Sequence, residues 1–174
     1  MTLRIIAGEA RGRRLKTPEG MDVRPTTSRV REAVFNSLCS QGSLEGADVL
    51  DLFAGSGALG LEAVSRGAAS ATFVESAPPA LAALRANIDA TGFTDRCRVV
   101  PGDVMEELSR LGGDFDVALC DPPYQFEAWP ELLSKIPAGV VMAESDQAVV
   151  PGSEWDVIKQ RRYAGTVVVI ASRR

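Results

Sequence analysis

Asp121-Pro-Pro-Tyr124 is a stretch of side chains and carbonyls suited to holding an amine. Two consecutive prolines fix φ and remove two backbone donors, so the turn is rigid and presents its carbonyl oxygens as acceptors. The Asp121 carboxylate and the Pro122 carbonyl can together take both hydrogens of an exocyclic NH2, while Tyr124 offers a flat face on which a base can stack. A second stretch, Asp51-Leu-Phe-Ala-Gly-Ser-Gly-Ala-Leu-Gly60, reads as a turn that receives a cofactor. Gly55 and Gly57 allow a sharp backbone turn and the close approach of a ligand. With Gly60 they spell G-x-G-x-x-G, a pattern shared by several cofactor classes. Ala58-Leu59 stands where a phosphate loop needs Lys-Ser/Thr, which argues against ATP.

These residues need a scaffold that brings them together. Strands are expected at 47–52, 71–75, 97–101, 115–120 and 139–143, and helices at 59–66, 79–91, 104–111 and 127–134. Such alternation predicts βαβ units and a parallel sheet covered on both faces. The tail, 155–161 and 166–171, reads as two strands with no helix between them, an antiparallel hairpin closing the sheet. At the other end, 3–7 and 13–17 predict a small basic hairpin, followed by a helix capped by Thr26, Thr27 or Ser28. Val30, Val34 and Leu38 share one face of that helix, with Arg29 and Arg31 expected to point elsewhere.

Ligands of open α/β sheets bind beyond the carboxyl ends of the strands. Asp51, Glu75, Asp103 and Asp121 fall at or just past four successive strand ends and are expected to line one cleft. That cleft favours a neutral or cationic ligand. Glu75 can accept both ribose hydroxyls, and Asp103 can accept from an adenine amine.

Composition narrows the class. The 174 residues, 45% apolar and 24% charged, suit one soluble globule that buries roughly 70% of its unfolded surface. There is no histidine, and the three cysteines are widely spaced, so no metal site or disulfide framework is suggested. Met1-Thr-Leu-Arg-Ile-Ile lacks the apolar core of a signal peptide and no membrane span is visible, so the expected compartment is the cytoplasm. The net charge of −4 conceals an asymmetry: residues 1–40 carry +4 and the remainder −8. A basic end on an acidic body points to a polyanionic partner.

Asp51–Gly60 together with Asp121–Tyr124 resembles the amino-group branch of the class I S-adenosylmethionine-dependent methyltransferases. The whole chain is similar to the bacterial 16S rRNA guanine-N2-methyltransferase family, RsmD-like. Arg4-Ile-Ile-Ala-Gly, Arg11-Gly-Arg, Arg24-Pro-Thr-Thr-Ser-Arg-Val-Arg-Glu, Asp51 to Ala63 and Asp121-Pro-Pro-Tyr match in the order that family uses. The resemblance implies a Rossmann-like, mostly parallel sheet with a C-terminal antiparallel hairpin and a small N-terminal hairpin-and-helix extension. Residues 1–40 would dock RNA and 41–174 would bind S-adenosylmethionine. It implies catalytic roles for Asp121, Pro122 and Tyr124, and cofactor contacts from Asp51, Phe53, Ala54, Gly55, Gly57, Glu75, Asp103, Val104 and Asp121. Arg4, Arg11, Arg13, Arg14, Arg24, Arg29 and Arg31 would meet RNA phosphates of 16S rRNA or a small-subunit particle. The expected protein is a monomer away from membranes. Two departures stand out: Ala77, where relatives often carry a second acid after Glu75, and a short segment between Tyr124 and the fifth strand. An NAD-dependent dehydrogenase shares the glycine pattern and Glu75, but leaves Asp121-Pro-Pro-Tyr124 and the basic N-terminus unexplained. A catalytically inactive RNA-binding module would not need an intact cleft. A DNA-adenine or protein-glutamine methyltransferase would use the same turn.

Overall fold

The computed structural model describes residues 2–20 and 27–174. Seven strands form one sheet: β1 Asp48–Leu52, β2 Ser70–Glu75, β3 Cys97–Pro101, β4 Phe115–Cys120, β5 Ala138–Ser145, β6 Trp155–Tyr163 and β7 Thr166–Arg173. Their order is β3-β2-β1-β4-β5-β7-β6. The first five pair in parallel, and β7 inserts antiparallel between β5 and β6. The Rossmann-like sheet and its closing hairpin are thus as expected. No described helix is long and apolar enough to cross a membrane.

Burial on both faces explains the near-continuous apolar runs of the central strands. Successive residues face opposite sides: Val117 and Leu119 enter one apolar cluster, Ala118 and Cys120 the other. The first cluster lies under α1 (Ser28–Ser40), α2 (Ala58–Ser65) and α3 (Pro78–Thr91). The second lies under α4 (Val104–Glu107) and α5 (Trp129–Lys135). Each helix starts where its chemistry allows. Thr27 caps α1 by accepting from the Val30 N–H, and Pro78-Pro79 opens α3, where a missing donor costs nothing. α4 is shorter than the expected 104–111. Its last turn tightens, with Ser109 and Arg110 bonding three residues back to Glu106 and Glu107 ahead of Gly112-Gly113.

The N-terminal hairpin is much reduced from the two strands expected. Arg4 and Arg14 form one bridge, supported by Ile5 N–H to Arg13 O (3.0 Å) and Leu15 N–H to Leu3 O (2.9 Å). Gly12 N–H also reaches Ile5 O at 2.9 Å, and four further donors go to helices instead. Ile6 and Ala7 N–H reach the Glu62 carboxylate at 2.8 and 3.0 Å, Ala10 N–H reaches Ser65 Oγ at 2.9 Å, and Lys16 N–H reaches Asn87 Oδ1 at 2.7 Å. The segment is a strap across α2 and α3. Ile5, Ala10 and Leu15 join the same apolar cluster as Val34, Phe35 and Leu38.

Arg31 departs most from expectation. It is 1% exposed, donates through Nη2 to the Arg4 carbonyl, and its Nε lies 3.7 Å from Glu62 without a hydrogen bond. Burial lowers its pKa, against the opposing pull of Glu62. α1 is covered by the strap as well as the sheet, so its buried arc takes in position 31.

Candidate active site

The strand order reverses between β1 and β4, which opens a crevice at their carboxyl ends. The chain leaves β1 through Phe53, held at φ +59°, a left-handed conformation that costs a bulky residue about 1–3 kcal/mol. Packing maintains it: the Phe53 ring meets Phe126 edge-on at 5.3 Å, and Phe126 meets Trp129 at 5.3 Å. Ala54 N–H bonds to Val74 O, which fixes the start of the loop to β2.

The three glycines differ in role. A Cβ on Gly60 would lie 2.4 Å from the Phe73 ring of β2, and one on Gly57 2.4 Å from Leu84 Cδ1, so Gly60 lets α2 pack on β2 and Gly57 lets the loop pack on α3. Gly55, at φ +56°, has no atom nearer than 4.0 Å to its would-be Cβ, so it alone leaves room for a ligand.

The carboxylates divide as well. Asp51 is 1% exposed and its Oδ2 accepts from Gly60 N–H at 2.8 Å, so it braces the loop from below and does not line the cleft as expected. Burial pushes its carboxyl well above the usual range, the Gly60 bond opposes this, and Asp121 and Glu75 add to it. Glu75 accepts from Ser76 and Ala77 N–H on Oε1 and from Gly55 N–H on Oε2, each at 2.8 Å. Oε1 is thereby filled, and one acceptor position on Oε2 is left for a ligand. Asp103 caps α4 through Oδ1, bonding Met105 and Glu106 N–H, and Oδ2 takes no part in the cap. Asp121 is half-buried one residue beyond Cys120, whose β1 partner is Leu52. Its charge, with that of Asp51, adds to the burial that raises the Cys120 thiol. Burial likewise pushes Cys97 up to about 11, so neither thiol is a nucleophile at neutral pH. Tyr124 is 54% exposed beyond the Pro122-Pro123 turn. Asp51, Phe53, Ala54, Gly55, Gly57, Glu75 and Asp121 therefore share one end of three adjacent strands, with Asp103 and Val104 beyond β3.

The arginines do not converge there. Arg4 donates to Gly12 O, and Arg11, Arg13 and Arg14 are exposed at the tip of the strap. Glu9 beside that tip bonds Ser65 O at the far end of α2 and pairs with Arg96 just before β3. The tip thus lies level with the amino ends of the strands, opposite the cleft. Arg29 is exposed on α1, Arg31 is buried, and Arg24 and Thr26 lie outside the described residues.

The buried polar side chains that hold the strap, Glu62, Ser65 and Asn87, escaped the sequence reading. Glu62 binds the strap to α2, and Asn87 binds it to the glycine loop. Asn87 Nδ2 donates to Lys16 O (2.9 Å) and to Ser56 O (2.8 Å). A charged residue inside the apolar run Leu59-Gly-Leu-Glu-Ala-Val64 was the available signal for the first.

Comparison with known proteins gives a consistent picture. The family model described as conserved hypothetical protein 95 matches residues 3–172. Ribosomal RNA small subunit methyltransferase D of Escherichia coli is 44% identical over 123 residues, covering 71% of this chain and 61% of that relative. The chain therefore spans less than two thirds of that relative's length. A Bacillus subtilis protein described as a candidate rRNA methyltransferase, YlbH, is 33% identical over 99% of this chain and 100% of its own. A solved Escherichia coli chain described as a candidate methyltransferase, yhhF, superposes with TM-score 0.87 at 33% identity, covering 100% of this chain and 99% of that one.

Proposed function

The chain belongs to the conserved hypothetical protein 95 family, and from that membership we propose that it methylates the exocyclic N2 amine of a guanine in 16S rRNA, with S-adenosylmethionine as methyl donor. The observation that carries this reading is the Asp121–Tyr124 turn standing beside the glycine loop at the reversal of strand order. The residues suit the donor. Gly55 leaves open space, Glu75 Oε2 can accept from one ribose hydroxyl, and Asp103 Oδ2 from an adenine amine, without a lysine to grip phosphate. The donor, when bound, supplies an electrophilic methyl carbon on a sulfonium that departs as a neutral thioether.

The rest is done by the protein. Guanine N2 is a poor nucleophile because its lone pair is delocalised into the ring. The Asp121 carboxylate and Pro122 carbonyl accept its two hydrogens, favour a pyramidal nitrogen and fix its direction. Orientation of two bound reactants is the main source of rate. Tyr124 stacks on the base once it has left its own stack. The surplus proton leaves through Asp121 or to water.

Residues 1–40 act as the RNA-docking extension and 41–174 as the methyl-transfer unit, although both share one apolar cluster. The free thiols of Cys39, Cys97 and Cys120 suit the cytoplasm, and the protein works there as a monomer on a small-subunit particle.

Calorimetry tests the cofactor. S-adenosylhomocysteine should bind saturably and NAD should not, and the reverse result would replace this reading with a dehydrogenase. Glu75→Ala should weaken the homocysteine analogue by about 1.5–3 kcal/mol, the cost of losing hydrogen bonds to a charged group. The RNA-docking role is tested at the strap tip. Neutralising Arg11, Arg13 and Arg14 together should reduce the log–log salt slope of binding to the small-subunit particle by about 2–3, at roughly 0.7–0.9 per phosphate. An unchanged slope would make these ordinary solvated charges.

A further inference from the structure

The cleft is bordered by carboxylates, and RNA is a polyanion. A strand that delivers a base to Asp121 needs cations near the carboxyl ends of the strands to hold its phosphates. The strap tip lies at the opposite end of the sheet and Arg31 is buried, so neither supplies them.

The outer strand β6 ends at the cleft edge. Ser145 at the end of β5 pairs with Val167, so the β6–β7 turn at Ala164-Gly165 stands level with the carboxyl ends of the parallel strands. β6 is three strand spacings from β4, about 14 Å. Lys159 pairs with Ile170 and Arg161 with Val168, both of the apolar cluster under α1, so the two cations project on the α1 side. There they line a shallow groove with Ala33, Ser37 and Tyr163. Arg29 sits one helical turn before Ala33, on the same face of α1 and toward the cleft. Arg29 and Arg161 are exposed, and Lys159 is half-buried with Nζ 3.1 Å from Ser37 Oγ. Among the described residues none of the three has a carboxylate partner. Asp156, the acid of β6, is paired with Arg174 at 2.7 Å. The groove therefore carries three cations with no carboxylate partner among the described residues, and the one carboxylate in the Arg161–Val168 row, Glu144, is buried two strands away.

We propose that this groove between α1 and β6, rimmed by Arg29, Lys159 and Arg161, grips the phosphates of the RNA strand flanking the target nucleotide. The proposal rests on the RNA reading above and adds Lys159 and Arg161 to it. Arg162 supplies an internal control, since it pairs with Val167 of the other cluster and projects from the opposite face of the same strand.

The experiment is a salt titration of binding to the reconstituted small ribosomal subunit, for the parent, Lys159→Gln/Arg161→Gln and Arg162→Gln. Thermal unfolding and S-adenosylhomocysteine titration check that each variant is folded. The double variant should lose about 1.5 units of log–log slope, two contacts at roughly 0.7–0.9 each, while Arg162→Gln keeps the parent slope. Arg161→Gln alone, at an exposed position, should lose about half as much and does not depend on the Lys159–Ser37 contact. A double variant with the parent slope overturns the groove. So does an Arg162→Gln loss equal to that of Arg161→Gln, which would mark a diffuse charge effect. A parent protein whose binding ignores salt removes the RNA reading itself, and is thereby distinguishable from failure of the groove alone.

Discussion

Asp121→Ala is expected to give a folded protein whose proposed methyl transfer to small-subunit RNA falls by about 10²–10⁴-fold, the range for loss of a positioned proton acceptor. The side chain is half-buried at the end of β4 and its removal opens no core cavity, so stability should hold. It should even relieve the neighbouring Asp51, whose carboxyl is raised in part by the Asp121 charge. On the proposed mechanism the loss should fall on turnover: the target amine would keep one acceptor, the Pro122 carbonyl, and lose both its second anchor and its proton exit. Single-turnover transfer with labelled methyl donor measures it, with unfolding monitored in parallel. Tyr124 provides the contrast. Tyr124→Ala should cost roughly 1–3 kcal/mol through lost base stacking, and Tyr124→Phe much less. A fully active Asp121→Ala protein would sink the proposed role, and equal damage from the two Tyr124 variants would shift the role from the ring to the hydroxyl.

The second large effect lies far from the chemistry. Glu62→Ala should destabilise the fold by about 3–5 kcal/mol, the usual result of removing one member of a buried charge cluster. Glu62 is fully buried, accepts from Ile6 N–H, Ala7 N–H and Arg66 Nε, and faces the buried Arg31. Its removal strands two backbone donors and a guanidinium in the interior. For a chain of this size each kcal/mol lowers the melting temperature by roughly 2–4 °C. Arg31→Met added to Glu62→Ala should recover part of the loss, because an apolar side chain of similar volume tolerates burial without a partner. Denaturant unfolding decides it, and a Glu62→Ala protein within 1 kcal/mol of its parent would show the cluster to be incidental.

The contrast between Asp121 and Glu62 shows what the sequence could disclose. The alternating strands and helices, the tail hairpin and the turn after β4 were readable because each is set by local chemistry: apolar period, proline position and capping side chain. Arg31 was misread because helical spacing gives only the arc facing the sheet, and the strap covers a second side. The reduced hairpin has the same origin, since its donors are claimed by Glu62, Ser65 and Asn87, which are 55–71 residues away. Asp51 was recognised as a strand-end carboxylate, but whether such a group faces ligand or loop depends on where Gly60 N–H comes to lie.

The separation of strap tip and cleft makes the sheet a ruler. β2 climbs from Ser70, near the level of the tip, to Glu75 at the cleft, five steps or about 17 Å. That equals about five base steps of helical rise at 3.4 Å each. On the proposed roles of the two ends, a nucleoside or dinucleotide would occupy one and never both. With the strap tip docking RNA as proposed, selection for a long, folded substrate would lie in the length of a strand, and the crevice that handles the amine would not need to measure anything.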